Sequence, residues 1–89
     1  MRLALSYDIG EGEKIARVGV QAQVAWELRT KRKIGSLSEG VSMVDIAGLL
    51  LEQMKIDGTL PEGVVNELGL SKHLLDVNPI DEDDEADPT

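Results

Sequence analysis

The sequence predicts an α+β fold, an N-terminal β-hairpin packed on a small bundle of three to four short helices. Three observations carry that prediction. Residues 2–9 alternate, with large apolar side chains at every second position, three Ser/Thr-x-x-acid patterns stand before apolar segments, and residues 43–57 are densely apolar and closed by Gly58. Alternation is the period of a strand with one buried face, and the hydroxyl–acid spacing is that of a helix capping box.

The hairpin spans about residues 2–20. Leu3, Leu5, Tyr7 and Ile9 fall on one face and Arg2, Ala4, Ser6 and Asp8 on the other. Gly10-Glu11-Gly12-Glu13 is a glycine-bearing link of hairpin length, and Lys14 to Val20 reads as the return strand through Ile15, Val18 and Val20. An isolated two-stranded hairpin is marginal in water, so it must lie against another layer.

Residues 20–28 admit two readings. Val20, Ala22, Val24, Trp26 and Leu28 alternate like a longer strand, whereas the residue types suit a helix and Val24 and Leu28 stand i, i+4. The helix reading is preferred, over about 21–33, with Arg29, Lys31, Arg32 and Lys33 at the carbonyl end of its dipole and Gly35 behind. Ser36-x-x-Glu39 then starts a turn cut short by Gly40. Ser42-x-x-Asp45 starts the main helix, about 43–57, and Thr59-x-x-Glu62 starts a short one, about 60–68, with Pro61 in its first turn. Ser71 caps one last turn through Leu75. These elements make residues 1–75 a single domain, and residues 76–89, with Asn78-Pro79 and an acidic run lacking an apolar face, a disordered tail.

The 89 residues suffice for one small domain. With no cysteine and one histidine, disulfides, thiolate metal sites and an ordinary zinc site are excluded, so no metal or cofactor is expected. The start reads as no secretory signal, and no apolar run nears the roughly 18 residues of a membrane span. The net charge of −8 is unevenly distributed. Seven of the seventeen acids lie in residues 76–89, which hold no base, leaving ten acids and nine bases in the body. A near-neutral body whose basic cluster lacks interleaved aromatics argues against nucleic acid as partner.

Catalysis is hard to assemble. The only imidazole, His73, sits beside Lys72 and before Leu74-Leu75, an ordinary exposed position on a short helix. Adjacent carboxylates occur only in the tail, where nothing fixes their separation, and the tail lacks the glycine turn and alternate spacing of a calcium loop. Residues 43–57 carry more information. Met43, Val44, Ile46, Ala47, Leu49, Leu50, Leu51, Met54 and Ile56 cover far more than one stripe. Either this is the central core helix, or its surplus apolar surface serves an oligomer or a partner.

Val24-Ala25-Trp26-Glu27-Leu28, Lys33-Ile34-Gly35-Ser36-Leu37, Gly40-Val41-Ser42-Met43-Val44-Asp45-Ile46-Ala47, and Leu50 with Met54-Lys55-Ile56-Asp57-Gly58 form a wider pattern. Over roughly residues 14–70 it resembles the tail assembly chaperones of long-tailed, siphovirus-type bacteriophages. In that family an aromatic–Glu pair on one helix leads through a short apolar link to an Asp-x-Ala-x-Leu helix. The chain departs from the family at Leu49-Leu50-Leu51, where another aromatic is expected. The resemblance implies a protein that binds the tape measure protein, keeps it soluble and helps tail-tube subunits assemble around it. It also implies action in the cytoplasm of the bacterial host, absence from the finished virion, and no catalytic or cofactor residues. A longer product made by ribosomal frameshifting is a frequent companion of the short one.

Joined to the apolar surplus, this reading makes Val44, Leu49, Leu51 and Met54 the expected partner-binding residues, because they lie off the Met43–Ala47–Leu50 stripe expected to face the hairpin. Trp26 and Leu28 are assigned to the fold. A homo-oligomer is compatible with the same surplus. Two rivals stand beside it: a structural tail or neck subunit retained in the virion, and an acidic inhibitor of a nucleic-acid-binding host protein that acts through residues 76–89.

Overall fold

The computed structural model describes residues 3–80; residues 1–2 and 81–89, and the side chains of Ser38 and Glu39, lie outside that description. The architecture is α+β, as the sequence predicts. Strands β1 (Ala4–Asp8) and β2 (Glu13–Arg17) form the hairpin, followed by α1 (Val20–Thr30) and a 3₁₀ helix over Ile34–Glu39. Then come α2 (Met43–Asp57), α3 (Glu67–Ser71) and a third strand, β3 (Asp76–Ile80).

β1 is the middle strand of an antiparallel sheet ordered β2-β1-β3. Ala4 lies across from Arg17 on one side and from Ile80 on the other, and Asp8 across from Glu13 and Asp76. The third strand corrects the expectation that disorder begins at residue 76. The hairpin leaves the second edge of β1 with backbone donors and acceptors to satisfy, and residues 76–80 satisfy them. Val77, the second residue of this strand, is buried and anchors it, while Asp76, Asn78 and Pro79 face water. Pro79 is tolerated because β3 is an edge strand. The expected acidic run at 81–87 lies outside the described residues.

The hairpin forms as expected, but its return strand buries different residues. Ala16 and Val18 are buried, whereas Ile15 and Val20 are exposed. The period of two that turns Ala16 inward turns Ile15 outward, and Val20 is already the first residue of α1.

α1 resolves the ambiguity at 20–28 in favour of helix, yet it stops at Thr30. The Thr30 hydroxyl donates back to the Trp26 carbonyl at 2.7 Å, and Lys31 enters the left-handed region at φ 64° with its amide on the Glu27 carbonyl. Glu27 then takes the Ile34 amide on its carboxylate at 2.7 Å, which turns the chain toward α2. Three of the four bases thus leave the helix end where dipole arguments placed them. Ala22 and Trp26 face the core, and Leu28 lies on the opposite side in solvent, contrary to its assignment to the fold.

α2 matches its expected bounds. The Ser42 hydroxyl accepts from the Asp45 amide at 3.1 Å and the Asp45 carboxylate accepts from the Ser42 amide at 3.3 Å, a complete capping box. Gly58 ends the helix at φ 75°, which costs a residue without a Cβ least. Thr59 does not start a new helix, because its amide is used on the Met54 carbonyl in closing α2. In place of the expected helix at 60–68 the chain makes one turn, closed by the Val64 amide on the Pro61 carbonyl at 3.2 Å, and α3 begins later, capped by the Asn66 side chain accepting from the Gly69 amide at 2.8 Å. The first box is likewise replaced by the 3₁₀ helix, which starts at Ile34 with no side-chain cap. Ser71 ends α3 and its carbonyl accepts from the Leu74 amide in a following turn, but its hydroxyl donates back to the Leu68 carbonyl at 2.6 Å and caps nothing.

The core lies around α2, with the sheet, α1 and α3 packed on different sides of it. Trp26, Leu5, Leu49, Leu50, Leu51, Met54 and Leu70 are its largest fully buried side chains. A helix enclosed in this way needs apolar residues nearly all round, so most of the surplus on 43–57 is core.

Candidate functional site

α2 is shared by two contacts of opposite character. Against α1 the contact is tight and ionic. Trp26 packs on Gly48 so closely that a Cβ at that glycine would stand 2.9 Å from Trp26 Nε1 and 2.8 Å from a Glu67 carboxylate oxygen. Arg29 donates to Glu52 at 2.5 Å and to Glu67 at 2.6 Å, joining α1, α2 and α3 through one guanidinium. Arg32 bonds Asp45 and stands over the Trp26 ring at 5.8 Å. Asp45, Glu52 and Gln53 are buried, and Gln53 takes the Gly19 amide on its side-chain oxygen at 3.0 Å. Among the described residues, no buried side-chain donor or acceptor lacks a partner.

Burial pushes the Glu67 carboxyl up, but the Arg29 hydrogen bond, a backbone amide and the charges of Arg29 and Lys55 together hold it below its usual value of 4.5. The Glu67 hydrogen bond in turn raises Arg29, against the opposing effect of burial, with Glu52 adding to the rise. This basic cluster is therefore structural mortar. Its Arg29 and Arg32 hold helices together, and neither is presented as a phosphate-binding group.

On the other side, between the first turns of α2 and α3, the contact gapes and is apolar. Met43, Val44 and Ala47 form one wall and Leu68 and Ser71 the other, with Glu67 at the rim, around a hollow of about 370 Å³. It continues past Met43, Ala47 and Ser71 into a second hollow of about 250 Å³ lined by Leu74, Leu75, Asp76 and Val77. Val44 is 66% exposed, Leu68 69% and Leu75 74%. The groove exists because α3 has only five residues, too few to cover the start of α2. α1 adds a separate apolar stripe, Val20, Val24 and Leu28, exposed at i, i+4 and i+8 roughly half a turn from Ala22 and Trp26.

The four residues expected to bind a partner thus divide. Val44 stands in the groove as expected. Leu49, Leu51 and Met54 are corrected to core, each no more than 1% exposed. Met43, assigned to the stripe facing the hairpin, is instead exposed beside Val44, while Ala47 and Leu50 of that stripe are buried. Leu68, Leu74 and Leu75 were missed. Their signal was a set of leucines around Ser71-Lys72-His73 with no strong helical period to bury them. The stripe on α1 was legible in the 20–24–28 spacing, masked by the alternation that also reads as strand.

His73 is exposed in the turn after α3, as expected. Among the described residues, no group of three His, Cys, Asp or Glu is placed to hold a metal ion, and no helix is long and apolar enough to cross a membrane. No family model, curated protein or solved structure matches the chain.

Proposed function

We propose that the protein is a tail assembly chaperone of the long-tailed bacteriophage type, and that it binds an amphipathic helical segment of the tape measure protein in the groove between α2 and α3. In this reading it works in the cytoplasm of the infected host, keeps the tape measure protein soluble while tail-tube subunits gather on it, and stays out of the finished virion. The observation that supports it most is the groove itself: Met43, Val44, Ala47 and Leu68 form an open apolar channel on helices. An amphipathic helix docks in such a channel through apolar anchors spaced along one face. Methionine at the mouth suits a chaperone, because its unbranched, polarisable side chain repacks around different apolar shapes. Asp76 at the margin favours a partner whose apolar face is flanked by basic residues. The groove offers a catalyst little, since its polar lining is Glu67, Ser71 and Asp76, and Glu67 is already committed to Arg29.

Co-expression with the tape measure protein tests the proposal. The native chain is expected to hold the partner in the soluble fraction and to co-purify with it. Val44→Asp and Leu68→Asp, both at exposed positions, are expected to fold normally and lose the partner. Retention by folded variants overturns the groove; no retention by the native chain overturns the chaperone reading.

A further inference from the structure

Among the described residues β2 is an edge strand, and its outer edge is self-complementary. The Val18 amide donates to the Leu3 carbonyl at 2.8 Å, so residues 3 and 18 form a hydrogen-bonded pair of the β1–β2 ladder. Such pairs alternate in an antiparallel ladder, so Leu5 with Ala16 and Tyr7 with Lys14 also exchange backbone bonds. Glu13, Ile15 and Arg17 therefore direct their amides and carbonyls away from β1, toward the open side of the sheet. The side chains of the same three residues share the sheet face opposite buried Ala16, and Ile15 is 52% exposed there.

We infer that this edge pairs with β2 of a second copy of the chain, antiparallel about a two-fold axis through Ile15, to give a continuous six-stranded sheet. Pairing about that axis sets Ile15 against Ile15 of the other copy. It sets Glu13 against Arg17 at one end and Arg17 against Glu13 at the other. All three are positions whose backbone groups point outward, and each such pair exchanges two N–H···O bonds. Opposite charges directly across an antiparallel pair stabilise it, and an apolar pair at the centre adds to this. Arg17 has five donors, enough to serve a carboxylate of the second copy alongside what it already contacts.

The register is specified as well. A slip by two residues sets Ile15 against Glu13 or Arg17 and loses the charge matching. Edge strands often carry charges to repel other chains, but charges serving that purpose alone have no need of opposite signs at equal distances from an apolar centre. The pair is short, which puts the association at the weak end for specific interfaces. This association is independent of the groove and of its occupant.

Sedimentation equilibrium on the purified chain, carried to about 1 mM, and amide exchange at low and high concentration test it. The native chain is expected to dimerise. The Glu13, Ile15 and Arg17 amides gain protection as concentration rises, while Lys14 and Ala16 are protected throughout. Glu13→Arg and Arg17→Glu each set like charges across the pair twice and should weaken it roughly tenfold or more, whereas the double exchange restores it to within about threefold. A monomer at every concentration overturns the inference. So does a dimer indifferent to both single reversals, or a double exchange no better than either single one.

Discussion

The two sides of α2 reverse the usual allotment of polar and apolar surface. Toward α1, five charged side chains, among them the buried Asp45 and Glu52, are packed and paired; toward α3, Met43, Val44 and Leu68 are left in water. A chain short of apolar residues would bury them all and expose its charges. This one has apolar residues to spare and still uses ions for one of its helix contacts. A buried ion pair is poor evidence of stability, because desolvation offsets most of the attraction. It does demand a single geometry, however, since each charge must meet its partner. An apolar groove demands none. The seam defines how the three helices sit, and the groove remains adaptable because nothing in it has to match.

The comparison is broken most severely in the buried core that both contacts of α2 rest on, where Leu51 is fully buried. Leu51→Asp is expected to unfold the domain, because it places an unpaired carboxylate in the core at a cost of several kcal/mol. The partner would be lost only as a consequence, and circular dichroism separates this from a true binding defect. Arg29→Met comes next. It strands the buried Glu52 carboxylate and frees Glu67, and a loss of about 3 kcal/mol in chemical denaturation is expected. Replacing Arg29 and Glu52 together by Met and Leu should recover much of that loss, which would identify specificity, not strength, as what the seam provides. A pairing that remains costly after both are replaced contradicts this.

Acid acts on the seam more gently. The folded Glu67 carboxyl titrates below its unfolded value of 4.5, so its pairing stabilises the fold fully above that pH. The contribution is lost as pH falls through the folded value, and Glu67→Gln should flatten that part of the profile. Ser42→Ala, which removes one half of the α2 capping box, should cost about 1 kcal/mol. The smallest effect belongs to Thr59→Ala, within about 0.5 kcal/mol, because this hydroxyl caps no helix.

The last two predictions mark how far local sequence signals reach. Ser42-x-x-Asp45 and Thr59-x-x-Glu62 are equivalent as patterns, and only the first is a cap. What separates them is the chain before each. Gly40 and Val41 release a fresh helix start, whereas Gly58 and Thr59 are still engaged in closing α2. Asn66, an equally good cap, stood unnoticed beside the more complete pattern. The hairpin and α2 were legible because alternation and a closed capping box act locally. β3 was not, because composition counts the acids around Val77 and says nothing of the vacant edge of β1 that recruits it. Of the candidate site, Val44 was legible and its setting was not. Spacing shows that 43–57 is apolar all round, but which side stays uncovered depends on the length of α3.

The place of β1 between the first hairpin and the final strand also bears on how the chain folds. Residues 4 and 80 are sheet neighbours, so the last contact of the sheet closes a loop comprising nearly all the described residues. Hairpin and helices can form from contacts close in sequence, while this one carries a loop-closure cost that grows with the length spanned. On the ribosome, β1 must wait with one edge open until residues 76–80 have emerged. The groove beside Leu75 and Val77 is completed by the same event. Synthesis thereby sets a sequence of its own, with the docking surface finished only after the helices that form its walls.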